Sequence, residues 1–438
     1  MGVFFGTDGI RGIVGEELSF DVAYKCGNAL STLTQNPTVL IGADTRVSRD
    51  YLTLAVASGA MSGGANVIDL GIIPTAGVAY LTRELKADYG VVISASHNPK
   101  EYNGIKVFDR NGYKLGDKEE ERIERCFIRE TVKGFPHFGS FIRRTELVKK
   151  YENFLCSVAT QTFQGLHIVL DGANGAAYEI APKVFKKLGA RVSLTHCKKD
   201  GMKINENCGA LYPEKLAEKV KKLGADFGFA FDGDADRLMA VDGNGRVIDG
   251  DAVVYILANA LKERGKLKND TAVGTSHTNM AIELALKAKG ISFLRAEVGD
   301  KYVLQKMLEH KLSIGGEQSG HIILKDLHTT GDGILSAVAL TDVLVQKRAN
   351  IDDLFDVKLF PQTNVNVVVK DKLKVINSQL LSHAVAEAEK ELNHGRVMVR
   401  ASGTEPKIRI MVESEKEDVN ERLAKTLLAV VKQIDQDE

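Results

Sequence analysis

Short apolar runs rich in valine and isoleucine alternate along the chain with stretches whose apolar residues recur at helical spacing. Val39-Leu40-Ile41-Gly42 precedes a helix expected around 50–63, and Asn66-Val67-Ile68-Asp69-Leu70 precedes another near 76–85. Tyr89-Gly90-Val91-Val92-Ile93 then reads as a strand covered on both faces and closes this first series. A second series runs from His167-Ile168-Val169-Leu170-Asp171 through Arg191-Val192-Ser193-Leu194 to Phe227-Gly228-Phe229-Ala230-Phe231. A third holds Thr271-Ala272-Val273-Gly274-Thr275, Ser292-Phe293-Leu294 and Leu312-Ser313-Ile314. Such alternation predicts α/β units whose parallel strands are joined by right-handed crossovers. Beyond 364 the pattern changes. Asn364-Val365-Asn366-Val367-Val368-Val369 alternates, a helical stretch spans about 375–392, and Arg396-Val397-Met398-Val399 and Ile408-Arg409-Ile410-Met411-Val412 read as paired strands before a closing helix. The expected domains are 1–150, 151–252 and 253–363, all α/β, and a smaller α+β module at 364–438, with no low-complexity linker between them.

Each α/β series delivers a polar or glycine-rich loop at the end of an apolar strand, where open α/β sheets bind ligands. The first is Ser94-Ala95-Ser96-His97-Asn98-Pro99, in which Pro99 forbids an immediate helix and Ser96 is offered as a hydroxyl nucleophile. The second is Asp232-Gly233-Asp234-Ala235-Asp236-Arg237. Its alternating carboxylates repel one another unless a cation gathers them, and their all-oxygen character suits Mg²⁺. An EF-hand is excluded, because Arg237 stands where that loop needs Gly and Gly243 where it needs Glu. The third, Gly315-Gly316-Glu317-Gln318-Ser319-Gly320-His321, carries Glu317, Ser319 and His321 as partners suited to sugar hydroxyls or an amine. In the last module, Arg400-Ala401-Ser402-Gly403-Thr404 runs on to Arg409 and forms a dianion cradle without a Walker lysine. Arg11, in a glycine-flanked loop, and Lys106, downstream of the serine, add two cations. Any one of these could be an ordinary polar turn. Together a serine, a magnesium site, a sugar-reading loop and a separate phosphate cradle describe a phosphosugar phosphotransferase.

Composition narrows the surroundings. The 438 residues carry 58 Lys plus Arg against 58 Asp plus Glu, so nothing electrostatic argues for nucleic acid or an anionic membrane. No apolar stretch reaches bilayer length, and the N-terminus lacks the basic-then-apolar pattern of a signal peptide. The 5 scattered cysteines fit reduced thiols in a cytoplasmic protein.

With the signature loops in order between Phe5 and Val412, the chain resembles the α-D-phosphohexomutase superfamily. The resemblance implies three related α/β domains with mixed or parallel sheets and a smaller C-terminal α+β domain around a central cleft. It implies an isomerase in which phosphorylated Ser96 donates its phosphoryl group to glucosamine 6-phosphate. The resulting 1,6-bisphosphate, of glucosamine or of glucose when it acts as activator, turns over before its other phosphate returns to the serine. One Mg²⁺ per site would be held by Asp232, Asp234, Asp236 and the Ser96 phosphate. Arg237 and Arg11 would stabilise the phosphoryl oxygens, His97 would orient the loop, and Lys106 would be the acid/base partner, its pKa lowered by nearby cations if it acts as base. Glu317, Ser319 and His321 would hold the sugar, and Arg400, Ser402, Gly403, Thr404 and Arg409 the phosphate not reacting.

Ser94, Gln318, Asp171-Gly172-Ala173-Asn174-Gly175, Val298-Gly299-Asp300-Lys301 and Thr329-Thr330-Gly331-Asp332-Gly333 fit the branch that isomerises glucosamine 6-phosphate to glucosamine 1-phosphate, for UDP-N-acetylglucosamine and cell-wall precursors. Ala401, Leu211-Tyr212 and His277 depart from that branch's usual pattern. The competing readings are a phosphomannomutase/phosphoglucomutase, a non-catalytic phosphosugar-binding protein and a metal-dependent phosphatase. The implied partner is the phosphosugar alone, and homodimers through the first domain are common in the family. Turning a bisphosphate over needs room, so the C-terminal domain is expected to hinge near 361–365. Small-angle scattering should then differ between free and substrate-bound protein, and superimposable profiles would count against the hinge.

Overall fold

The computed structural model describes residues 4–6, 8–128, 137–402 and 405–436. The chain divides into a larger unit, Met1–His277 with Gly290–Phe355, and a smaller one, Thr278–Lys289 with Asp356–Glu438.

Three sheets build the larger unit. In the first, Thr38–Ala43 pairs in parallel with Asn66–Ile72 and with Tyr89–Ile93, and helices Arg49–Ser62 and Thr75–Glu84 make the connections. Val39, Leu40, Ile41, Val91, Val92 and Ile93 are fully buried, as expected of strands covered on both faces. The series does not end at Ile93, however. After the serine loop the chain returns as Tyr102–Asp109, antiparallel to Tyr89–Ile93, with Lys106 opposite Val92. Gly9–Ile13 then pairs with that returning strand and sets Arg11 opposite Gly104. The same reversal occurs twice more: Phe227–Phe231 returns as Leu238–Asp242, and Ile314–Gly316 as Ile322–Leu324. Each sheet is therefore mixed, and each polar loop is the bend between two antiparallel strands. Among the returning strands Tyr102–Asp109 alone breaks its apolar pattern, whereas Leu238–Asp242 and Ile322–Leu324 are short apolar runs. Tyr102–Asp109 holds Asn103, Gly104 and Lys106 among its apolar positions.

In the smaller unit, Lys407–Ser414 lies between Gln362–Val368 and Gly395–Ala401, antiparallel to both. Val367, Ile408, Ile410, Val412, Leu423, Leu427 and Val431 form its core with helix Glu417–Gln436. The helical stretch expected at 375–392 is two helices, Lys372–Ile376 and Gln379–Lys390. Asp371 caps the first by accepting from the Leu373 and Lys374 N–H groups, and Ser378, in extended conformation, breaks the run before the second. Residues 361–365, the expected pivot, lie inside this unit: strand Gln362–Val368 starts there, and Asn420 Nδ2 donates to the Pro361 carbonyl at 2.8 Å. Among the described residues no helix is long and apolar enough to cross a membrane.

Asn420 is fully buried and also accepts from Ser414 Oγ at 2.5 Å. Asn420→Ala strands both partners, and the smaller unit should lose about 1–3 kcal/mol. The check is a urea titration followed by amide exchange in Lys407–Ser414; unaltered protection there would show the anchor to be dispensable.

Candidate active site

Ser96 sits at the end of Tyr89–Ile93 in a left-handed conformation, φ 51°, which a non-glycine residue adopts only when its surroundings impose it. Those surroundings are visible. Ser94 Oγ accepts from the Ser96 N–H at 2.9 Å and donates to Asp44 Oδ2 at 2.6 Å. Arg46, one of the largest fully buried side chains, donates from Nε to Asp44 and from Nη2 to the carbonyls of Ser96 (2.9 Å) and Asn98 (2.8 Å). Its Nη1 takes the Pro99 and Tyr102 carbonyls. Asn205 adds a further donor to the Ser96 carbonyl at 2.8 Å. One guanidinium and one amide thus satisfy the Ser96 and Asn98 carbonyls of the loop.

The three-carboxylate loop meets this serine directly. Ser96 Oγ donates to Asp232 Oδ2 at 2.5 Å, and His97 Nδ1 lies 3.3 Å from the same hydroxyl. Gly233 permits the approach, since a Cβ there would stand 2.5 Å from the Ser96 carbonyl oxygen. Asp232, Asp234 and Asp236 are all buried, and one oxygen of each lies within 4.8 Å of the others. Oδ1 of Asp234 and Oδ1 of Asp236 are buried and accept no hydrogen bond among the described residues. Burial, with the Asp236 and Asp234 carboxylates beside it, pushes the Asp232 carboxyl well above the usual range. Oxygen ligands, crowded negative charge and orphaned lone pairs fit a hard divalent cation.

Lys106 faces carboxylates, whereas action as a base would need nearby cations to lower its pKa. Its Nζ lies 2.9 Å from Asp234, 3.4 Å from Asp236 and 3.1 Å from Asp8. Burial opposes its charge, but these acids prevail and hold it well above the ordinary lysine range. Burial likewise opposes the Asp8 charge, yet Lys106, Lys114 and Arg11 draw that carboxyl far below its usual value. Arg11 pairs with Asp8 and keeps a buried Nε that has no partner among the described residues. Burial and the Arg237 and Arg11 cations lower His97 to about 4, so its ring is neutral at pH 7. The Arg237 N–H donates to Asp232 Oδ1 at 3.1 Å.

The third loop splits. Glu317 and Ser319 line an open cavity of about 380 Å³ with Met239, Asp249 and Thr275. Glu317 Oε1 also accepts the Gly299 N–H at 2.9 Å. Gln318 donates to Asp249 Oδ2 at 3.2 Å and so steadies the cap of helix Gly250–Glu263. His321, expected at the sugar, lies between Asp236 (3.7 Å) and Asp300 (3.6 Å), with the Gly331 N–H donating to its Nε2 at 3.2 Å.

In the smaller unit, Arg400 and Arg409 stand opposite each other across antiparallel strands. Like charges so placed repel, which an anion between them would relieve. Ser402 follows, its N–H donating to the Lys407 carbonyl at 2.8 Å, and Lys372 Nζ donates to the Ser402 carbonyl at 2.8 Å. Gly403 and Thr404 lie outside the described residues.

Sequence reasoning missed Asp44, Arg46, Asp8, Lys114, Asn205 and Thr75, whose Oγ1 donates to Asp234 Oδ2 at 2.6 Å. For Asp44 and Arg46 a signal existed, because Asp44-Thr45-Arg46 also follows a buried strand, Thr38–Ala43. For the others none did.

Family models described as phosphoglucomutase/phosphomannomutase match the chain in four blocks. Alpha/beta/alpha domain I matches residues 2–133, domain II 146–245, domain III 249–360 and the C-terminal domain 365–430. A phosphoglucosamine mutase of Alkaliphilus oremlandii is 44% identical over 446 residues, covering 99% of this chain and 99% of its own length. A phosphoglucomutase/phosphomannomutase family protein from Burkholderia thailandensis, solved by X-ray crystallography, shares the fold with a TM-score of 0.85 at 23% identity, covering 99% of this chain and 98% of its own. The N-acetylphosphoglucosamine mutase of Aspergillus fumigatus, solved with GlcNAc-6P and magnesium, gives a TM-score of 0.69 at 17% identity, covering 99% of this chain and 96% of its own.

Ser94→Ala deprives the Ser96 N–H of its acceptor and Asp44 of a donor. A stability loss of about 1–3 kcal/mol is expected, seen as a lower urea midpoint at unchanged slope. A wild-type midpoint would mean that Arg46 holds the loop unaided.

Proposed function

The chain belongs to the phosphoglucomutase/phosphomannomutase family, and on that premise we propose that it interconverts glucosamine 6-phosphate and glucosamine 1-phosphate. It is an isomerase that acts by phosphoryl transfer, and its 44% identical relative bears the name of that aminosugar activity. The observation that carries the mechanism is Ser96, held in a left-handed conformation with its hydroxyl 2.5 Å from Asp232 in a buried group of three carboxylates.

Ser96 works as a phosphoserine. In the first half-reaction the bond from phosphorus to Ser96 Oγ breaks and one to the free sugar hydroxyl forms, while the hydroxyl proton passes to the enzyme and a proton returns to the serine oxygen. The product is the 1,6-bisphosphate, of glucosamine in turnover or of glucose as a primer, and the second half-reaction reverses the transfer from its other phosphate. Asp232, Asp234, Asp236 and the serine phosphate would hold one Mg²⁺, which supplies charge neutralisation at the phosphoryl oxygens. Phosphoryl transfer is otherwise a matter of positioning, which Arg46, Asn205 and Ser94 perform through the serine loop's own backbone. Arg237 and Arg11 face the developing charge, and Lys106, held as the ammonium, supplies the proton. His97 orients the loop as a neutral ring. Glu317 and Ser319 take the sugar, with His321 bracing Asp236. Arg400, Ser402 and Arg409, with Gly403 and Thr404, grip the phosphate that is not reacting. The 5 free cysteines fit a cytoplasmic setting for this reaction.

Ser96→Ala should lower turnover by about a thousandfold or more and abolish the single-phosphate mass increment of the purified protein. Undiminished turnover in that variant excludes the phosphoserine cycle. In a coupled assay, glucosamine 6-phosphate should exceed glucose 1-phosphate and mannose 1-phosphate in kcat/KM. A preference for either hexose phosphate assigns the chain to the hexose branch instead.

A further inference from the structure

Asp171 ends strand His167–Asp171, which runs parallel to Phe227–Phe231 with Asp171 opposite Ala230, two residues before Asp232. Asp171, His196 and Cys208 each offer one ligand atom, and the three atoms lie within 4.8 Å of one another. Asp171 and Cys208 are buried, while His196 is partly exposed. We propose that these three residues form a second metal site, for a divalent transition metal of the zinc class, distinct in chemistry from the three-carboxylate site.

The donor set carries the assignment. A carboxylate oxygen, an imidazole nitrogen and a thiolate sulfur make the mixed, partly soft environment that selects zinc over magnesium. His196 Nδ1 and Asp171 Oδ2 are 2.9 Å apart, an imidazole–carboxylate hydrogen bond that an incoming ion would replace. The other oxygen, Asp171 Oδ1, accepts the Ala173 N–H at 2.9 Å, the outer-shell bond that orients a ligating carboxylate. Cys197, next to His196, is engaged elsewhere: its thiol donates to the Leu170 carbonyl at 3.6 Å. Metal binding would release the Cys208 proton to solvent, and the thiolate would form the bond to the ion.

Backbone strain marks the same place. Ala173, Asn174, His196, Asn205 and Asn207 all have φ between 45° and 58°, and none is glycine. The Asn174 N–H donates to the His196 carbonyl at 2.6 Å, and the Asn205 N–H to the Ala173 carbonyl at 3.0 Å. An ion at this point would fasten the segment 196–208 to the strand end. That segment carries Asn205, which holds the Ser96 and Asn98 carbonyls. The site would then be structural: it secures the nucleophile's support without touching the reacting atoms.

The test uses the full chain, stripped of metal by chelator under reductant and titrated with Co²⁺. One equivalent should produce a thiolate-to-cobalt charge-transfer band in the near ultraviolet, removed by Zn²⁺ and unaffected by excess Mg²⁺. Cys208→Ser and His196→Gln should each weaken Zn²⁺ binding by more than roughly 100-fold, the upper loss seen for outer-shell partners. Asp234→Asn should leave the band in place. Absence of a thiolate band in the wild-type protein overturns the site whatever the variants do, and a band that survives Cys208→Ser overturns the ligand assignment. Retention of Zn²⁺ by Ser96→Ala protein separates this outcome from failure of the catalytic reading.

Discussion

Buried carboxylates govern the larger unit. Asp232, Asp234 and Asp236 lie within reach of one another out of water, where like charges cannot coexist without compensating cations. Lys106 from the first sheet supplies one such cation, and Arg237, next to the triad itself, supplies another. The demand propagates outward. Lys106 is shared with Asp8, Asp8 with Lys114, Lys114 with Asp300, and Asp300 with His321, which returns to Asp236. Removing one member of a buried pair typically costs about 3–5 kcal/mol, because its partner is left charged and unsolvated. The ring ties together loops from three different sheets, and beside it Oδ1 of Asp234 and Oδ1 of Asp236 still have no hydrogen-bond donor among the described residues.

The fold meets that demand by repetition. Three times a buried strand runs out, bends through a polar loop and returns antiparallel beside itself. A bend of this kind places its residues at the rim, while the paired strands restrict its movement. In the serine loop the restriction goes further, since Arg46 and Asn205 occupy the carbonyls that a free loop would present to water. Ser96 is thereby held in a backbone conformation it would not choose. The same loop touches the carboxylate triad through the Ser96 hydroxyl and the segment bearing Asn205 through the Ser96 carbonyl.

Much of this was legible in the one-dimensional pattern. Apolar runs located the strands, their polar sequels located the loops, and four ordered motifs pointed to the family. The returning strands were not read: Tyr102–Asp109 breaks its pattern with Asn103, Gly104 and Lys106, and Leu238–Asp242 is a short apolar run whose direction no pattern reveals. His321 illustrates a different loss: its loop was identified, but its contacts with Asp236 and Asp300 could not be read from the chain. The charge state of Lys106 could not be read either, since it depends on three acids drawn from positions 8, 234 and 236.

The sequence by itself determined which side chains the polar loops carry and the order in which they come: a serine, three aspartates, a Glu-Gln-Ser loop and a pair of arginines. Those follow from residue types whose chemistry does not depend on where they sit. Tertiary structure alone decided which groups meet. It made Lys106 an ammonium among carboxylates, turned Ser94 from a family marker into the acceptor that holds Ser96, and gathered Asp171, His196 and Cys208 into one donor set. The physical reason is common to all three. Charge state, hydrogen-bond satisfaction and metal affinity belong to groups within a few ångströms in space, and the partners concerned come from stretches far apart in the chain.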